Sequence, residues 1–367
     1  MKTRIKICIV ISFLIISSLV AGLSQAAHTG PSLLPNIYLP LTFNNFDSRV
    51  AQLGFIGTDP THLDQSYIYS INENGSSPTN LTVNPANLMD FNWSPDGSKI
   101  AFSSDWGGDE NIFTMNADGS DIVQLTFTTG YDFHPSWSSN GTKLVFISRR
   151  NGSNQVYVMG VDGSNVKQLT NLTLGCAMPL WSPVANKIAF INYGSESNEQ
   201  EIYVVNVDGT GLQDLTNNAY YDSLEGWSPD GSKILFLSNR DHDGLPYAYD
   251  LYTMNSDGSN TQQLTTSGYV EAAEWSPDST RIAYSEYTGP TGLSIIHPDG
   301  SDKTELLCES HIDSFLFSWS HNSSKIAFTP HSSTQETQGV YIVRADNSSC
   351  AHISNLLASG PKWRPMP

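Results

Sequence analysis

The chain has 367 residues, with 18 Lys and Arg set against 36 Asp and Glu, giving a formal net charge of −18 at pH 7. An acidic balance of this size excludes nucleic acid as a partner, because phosphate binding rests on clustered Lys and Arg. Only four cysteines are present, and one of them, Cys8, lies in the first apolar segment.

Residues 1–26 carry the pattern of a secretory signal. Lys2, Arg4 and Lys6 precede an apolar run from Ile7 to Leu23, and Ser24, Gln25 and Ala26 supply small residues around a cleavage point. Cleavage after Ala26 removes three basic residues and moves the net charge from −18 to −21. The mature chain is then expected outside the cytoplasm, periplasmic or extracellular, with no membrane span. The alternative is that the apolar run stays as an uncleaved anchor. Residues 27–48 read as a linker. After cleavage three cysteines remain, Cys176, Cys308 and Cys350, an odd count that argues against a disulfide framework. Pairing of Cys308 with Cys350 is not expected.

From residue 49 to 367 one unit repeats. Near-identical decapeptides begin at Trp93 (WSPDGSKIAF), Trp137, Trp181, Trp227, Trp275 and Trp319, and a truncated copy begins at Trp363. Successive tryptophans are 44, 44, 46, 48, 44 and 44 residues apart. A period in the forties with several short strands per unit predicts a radial β-repeat, whose sheets bury their faces against one another. Each unit has a Trp strand, a tight turn, and an apolar strand such as Lys99–Phe102. A third strand follows, such as Ile112–Met115, then an Asp-Gly turn and a short strand ending in Leu-Thr. The predicted fold is all-β, a seven-bladed propeller of four-stranded antiparallel blades. Leu53 to Phe55 supplies a seventh second strand, and the orphan Trp363 supplies the missing innermost strand of the first blade, so the two termini close the ring. Phe46 stands at the Trp offset and is the alternative source of that strand. The tryptophans are expected in the inter-blade core.

These landmarks (Trp-Ser-Pro-Asp-Gly, Ile-Ala-Phe, Ile-Tyr and Leu-Thr, in six copies over residues 49–364) resemble the propeller repeats of TolB-type proteins. The N-terminal α/β domain that TolB carries has no counterpart in the short segment between signal and first strand. The resemblance implies a propeller and leaves function open, because propellers of this type serve translocation proteins, peptidases, lyases and binding modules.

The strand order sorts the loops onto two faces. The loops between second and third strands, and those entering each Trp strand, share an upper face bearing about twenty carboxylates against Arg149, Arg150, Arg240 and Lys362. A concave surface of one sign draws cations. The expected ligand site is therefore the upper mouth, built from Asp90, Asp132, His134, Asp222, Glu225, Glu271, Glu274, His311 and Asp313. Its expected partner is a protein or a glycan, cationic in character, bound by a monomeric propeller. A calcium loop is a second candidate, because Asn239, Asp241, Asp243 and Asp250 follow the oxygen-ligand spacing of positions 1, 3, 5 and 12. The competing reading gives Asp250 the place held by Asn111 and Glu201 in other blades.

Three further readings bear on activity. A metal-dependent, lyase-like carbohydrate enzyme using the mouth is the alternative to a non-enzymatic binding module, and the propeller resemblance extends to lyases acting on oligogalacturonate. No serine-hydrolase elbow is present, since Gly226-Trp227-Ser228-Pro229-Asp230 lacks the final Gly and opens a hairpin. The Asn-x-Ser/Thr sites at Asn74, Asn140, Asn151 and Asn322 read as turn residues.

Overall fold

The computed structural model describes residues 52–59, 62–82, 88–106, 108–194, 199–242, 245, 247–287, 292–308, 314–330 and 338–366. Residues 1–48, which the sequence reads as signal and linker, lie outside these residues, and Phe46 with them.

The strands form seven four-stranded sheets, and six of these use four consecutive strands in chain order. The first blade is the exception. Its innermost strand is Ala358–Trp363 from the C-terminus, which pairs antiparallel with Gln52–Asp59 through Leu53 opposite Trp363 and Gly54 opposite Lys362. The ring is thus closed by both ends of the propeller, as the orphan Trp363 predicts.

Seven clusters of buried apolar side chains fill the seven junctions between neighbouring blades. Each repeat Trp belongs to the junction with the blade before it: Trp93 packs among Ile68 and Leu81 of blade 1, and Trp363 among Ala327, Val340 and Ile342 of blade 7. Four of the indoles also donate across the junction, to the carbonyl just before the preceding blade's Trp. The pairs are Trp93 with Lys362, Trp137 with Asn92, Trp227 with Leu180 and Trp319 with Glu274, at 3.0 to 3.3 Å. The Trp is therefore both filler and strap.

The other landmarks are side-chain staples on backbone groups that would go unpaired. In the Trp-Ser-Pro-Asp-Gly turn, Ser94 Oγ donates to Asp96 at 2.6 Å and accepts the Lys99 N–H at 2.9 Å. Gly97 sits there at a φ of 66° with a Pro365 carbonyl only 2.2 Å from where a Cβ would stand, so a side chain is barred both by conformation and by contact. In the Leu-Thr landmark the Thr hydroxyl accepts the N–H of a third-strand residue: Ile112 to Thr126, Val156 to Thr170, Ile202 to Thr216 and Leu251 to Thr265, at 2.9 to 3.0 Å. Asn74, Asn140 and Asn322 accept N–H groups two residues on, as turn residues do.

One expectation is corrected. Cys308 and Cys350 form a disulfide with Cα atoms 5.4 Å apart. Cys308 follows the outermost strand of blade 6 and Cys350 opens that of blade 7 (Cys350–Ser354), and adjacent blades bring these two positions together. An odd cysteine count says nothing about such a neighbour relation. Cys176 is buried and unpaired, and burial lifts its thiol pKa to about 11, so it is not a reactive thiolate.

Candidate functional site in the upper mouth

Strand direction alternates within each blade, so the ends of second strands, the starts of third strands and the starts of innermost strands share the upper face. Every innermost strand is irregular: the register with its neighbour shifts part-way along in all seven blades. Such bulges re-aim side chains and bend the strand. Three residues before the Trp, the backbone is left-handed in three blades, at His134 (φ 54°), Met178 (φ 49°) and Gly360 (φ 56°). Met178 and, at the equivalent place in blade 7, Leu316 are 42% and 45% exposed, so this repeat position is open to solvent.

The mouth carboxylates divide by what already holds them. Asp132 and Asp222 are fully buried and bind Arg150 at 3.2 Å and Arg240 at 2.8 Å. Each guanidinium also lies over two aromatic rings, Phe146 and Tyr157 for Arg150, Phe236 and Tyr252 for Arg240. These pairs tie each innermost strand to the loop beyond the second strand. Both aspartates are thus already paired inside their own blades, with the loop arginines of the same face as their partners.

Glu225 and Glu274 lace neighbouring innermost strands together. Glu225 accepts the Ala273 N–H at 3.0 Å and Glu274 the Trp319 N–H at 3.2 Å. Burial pushes their pKa values up, to about 7 for Glu225 and about 8 for Glu274, with these hydrogen bonds opposing the rise. Lys362 donates to Asn92 at 2.6 Å, and burial lowers its pKa against the opposing pull of Asp90 and Glu274.

Asp90 is half-buried and accepts from Ser103 at 2.9 Å. Beside it stands a residue that the sequence did not single out as part of the site. Glu110 is 6% exposed, one of its oxygens has no hydrogen-bond partner among the described residues, and burial lifts its pKa to about 8. The charges of Asp90, Asp105 and Asp132 push the same way, while Ser103 opposes. His134 is half-buried, with its Nδ1 enclosed and unpartnered among the described residues. Glu271 is half-buried on the innermost strand of blade 6. His311 and Asp313 lie outside the described residues.

The calcium candidate does not assemble among the residues described. Asn239 accepts the Tyr221 N–H at 2.9 Å, and Asp241 accepts the Tyr252 hydroxyl. Asp250 is fully buried and engaged by Thr265 at 2.9 Å, the Gly268 N–H at 3.0 Å and His242 at 2.7 Å. Thr126, Thr170 and Thr216 make the same bond to Asn111, Gln155 and Glu201, so Asp250 holds the repeat position suggested by the competing reading. Asp243 lies outside the described residues, and among those described no group of three or more His, Cys, Asp and Glu is placed to hold a metal ion.

The sequence reading also missed an aromatic rim. Tyr131, Tyr221 and Tyr269 occupy one repeat position, immediately before the innermost strands of blades 3, 5 and 6, and Tyr131 and Tyr269 are 49% and 50% exposed. The signal was available as a tyrosine six residues before Trp137, Trp227 and Trp275.

Comparison with solved structures finds this architecture widely. TolB from Acinetobacter baumannii superposes with a TM-score of 0.56 at 18% identity, covering 86% of this chain and 66% of that one. An oligogalacturonate lyase from Vibrio parahaemolyticus gives 0.61 at 13% identity, covering 79% and 90%. A puromycin-hydrolyzing peptidase from Mycobacterium tuberculosis gives 0.60 at 14%, covering 84% and 54%. This chain therefore spans just under two thirds of the TolB chain and about half of the peptidase, and at these identities the likeness establishes the fold alone. A comparison with curated proteins finds no match. The TolB beta propeller domain family matches residues 58–176 and 168–366, nearly the whole ring. The chain belongs to the TolB beta propeller domain family.

Proposed function

We propose that this protein is a secreted, non-enzymatic propeller that recognises a protein or glycan through its upper face. The observation that carries the reading is how that face spends its polar groups. Asp132, Asp222, Glu225, Glu274 and Asp250 are all committed to bonds within or between blades, while half-exposed tyrosines such as Tyr131 and Tyr269 and exposed carboxylates such as Asp109 and Asp241 are left accessible. Exposed tyrosine is the composition of a recognition surface. Secretion rests on the signal pattern of residues 1–26. Among the described residues no helix is long and apolar enough to cross a membrane.

The test is differential. Immobilised mature chain should retain a partner from the secreted fraction, and neutralising Asp90, Asp241 and Glu271 should abolish retention. Asp162→Asn, Asp208→Asn and Asp257→Asn, on exposed lower turns, should not. Equal loss from both sets, or loss from the lower set alone, refutes the face assignment.

A second reading, a metal-dependent carbohydrate-active enzyme, is favoured by one observation: His134 holds a left-handed backbone and an enclosed, unpartnered Nδ1 at the mouth. Non-glycine residues in this conformation cost free energy and cluster at functional sites. Manganese-dependent release of an unsaturated product from oligogalacturonate, lost in His134→Ala, would establish it over the binding reading.

A further inference from the structure

Four tyrosines converge where blades 5 and 6 meet on the upper face. Tyr221 and Tyr269 each precede an innermost strand, Tyr249 precedes the third strand of blade 5, and Tyr287 follows the second strand of blade 6. Backbone contacts fix their order. Tyr249 and Tyr269 form a parallel bridge, the Val270 N–H donates to the Tyr249 carbonyl at 3.0 Å, and the Tyr287 N–H donates to the Tyr269 carbonyl at 3.0 Å. The Tyr221 and Tyr249 rings lie 4.9 Å apart. Tyr269 and Tyr287 are 50% and 60% exposed, so the row opens outward from a packed pair to two accessible rings.

We infer that this tyrosine row is the docking site for a polypeptide segment bearing arginine or lysine side chains. The inference rests on the binding reading above and names its partner class. Two observations select a cationic chain. The first is charge: the protein carries −18, and the two arginines of this face that reach toward the mouth, Arg150 and Arg240, are each held by a buried aspartate. A face of that sign raises the local concentration of cations and speeds their encounter. The second is that the fold already builds the contact internally. Arg240 lies 5.1 Å over Tyr252 with Asp222 at 2.8 Å, and Arg150 lies 4.7 Å over Tyr157 with Asp132 at 3.2 Å. Each is a cation held between a ring face and a carboxylate, the arrangement that the ring quadrupole favours. The row offers the ring half of that arrangement: Tyr269 and Tyr287 are exposed and among the described residues no Lys or Arg is stacked on either ring, while Glu286 beside them already holds Lys303 at 2.9 Å and the Ser267 hydroxyl at 2.7 Å. Tyrosine also loses little conformational freedom on binding, which suits it to anchor a flexible segment.

The probe is a fluorescent peptide of alternating Arg and Gly, titrated against the mature chain by polarisation. The parent should bind it, more weakly as salt rises. The pair Tyr269→Ser and Tyr287→Ser should weaken binding at least tenfold with an unchanged melting temperature, since both side chains are half-exposed or more. Tyr269→Phe with Tyr287→Phe should retain it, because the ring face and not the hydroxyl makes the contact. Val184→Ser, on an exposed lower turn, is the control. If the serine pair binds like the parent while neutralisation of Asp90, Asp241 and Glu271 abolishes binding, the tyrosine row is wrong and the acidic-face reading stands. If neither set matters, both fail. If the peptide is not bound and a neutral oligosaccharide is bound in a tyrosine-dependent way, the row is a glycan site and the polypeptide class is overturned. Failure of the parent to bind either probe also overturns the inference.

Discussion

Closure of the ring by the C-terminal strand makes the strongest demand on stability. Trp363 is 8% exposed, packed against Leu53, Phe55 and Ile71 of blade 1 and against Ala327, Val340 and Ile342 of blade 7. Trp363→Ala should therefore cost about 3 to 5 kcal/mol, the range for truncating a buried aromatic. Deleting residues 360–367 removes more. The Trp93 indole loses the Lys362 carbonyl at 3.1 Å, and the Gly97 carbonyl loses the Arg364 guanidinium at 2.7 Å. Each such bond is worth about 1 kcal/mol net. Release of the buried Lys362 charge offsets part of this, since burial depresses its pKa and so opposes its charged form. The loss is about 5 to 7 kcal/mol before that offset, much of the roughly 5 to 15 kcal/mol that stabilises a typical domain. Urea denaturation followed by tryptophan fluorescence reads it as a fall in midpoint. A synthetic peptide of residues 356–367 should restore part of the loss by mass action. A truncated chain with the parent's midpoint would show that the termini are not the clasp.

The raised pKa values give a pH dependence with a definite sign. Glu110, Glu201, Glu225 and Glu274 rise from 4.5 to about 7 or 8 on folding, so the stability they contribute is full below pH 4.5 and is lost as pH climbs through 7 to 8. The turn aspartates, such as Asp96 and Asp230, are lowered first by a serine hydroxyl and lose their contribution as pH falls through their folded values, below 3.8. The melting temperature should peak between these limits and fall toward pH 9, and Glu225→Gln with Glu274→Gln should flatten the alkaline fall. A steady rise from pH 5 to 9 contradicts this. Asp222→Ala should cost about 3 kcal/mol or more in urea unfolding, because it strands the Arg240 charge. Replacing Cys308 and Cys350 by Ser opens a 42-residue closure and should lower stability by up to about 4 kcal/mol, seen as a reductant-sensitive melting temperature absent from the variant. Calcium should leave the melting temperature unchanged, since the described oxygens of its candidate loop are engaged elsewhere; a rise abolished by Asp241→Ala with Asp243→Ala would reinstate that loop.

The architecture was legible because the same local physics is written seven times. A Trp that must reach the preceding blade, a Ser-Asp turn and a Thr that caps a third-strand N–H recur at fixed offsets, so even the orphan Trp363 had one place to go. Site residues carry no such redundancy. Asp132 and Asp222 looked like mouth carboxylates because sequence places them at the right strand end. What it could not show is that Arg150 and Arg240, eighteen residues later in each case, fold back over aromatic rings to neutralise them. The disulfide was missed for a related reason, since Cys308 and Cys350 become neighbours only when two blades pack.

The same repeats that hid these pairings held the clue to the exposed surface. A tyrosine six residues before the Trp in three of seven units has no part in the staples that explain the rest of the pattern. In a repeat protein, a residue that recurs is assigned to structure by default, and the landmarks here have structural work: the tryptophans pack in the blade junctions, and the Ser-Asp and Leu-Thr positions staple backbone groups. Tyr131 and Tyr269 recur and yet remain about half exposed. Burial of a tyrosine side chain stabilises by roughly 1.5 to 3 kcal/mol, so leaving two such rings in solvent forgoes a gain that the neighbouring junctions take. Recurrence without burial is the feature that separates a surface kept for a partner from one that merely holds the ring together.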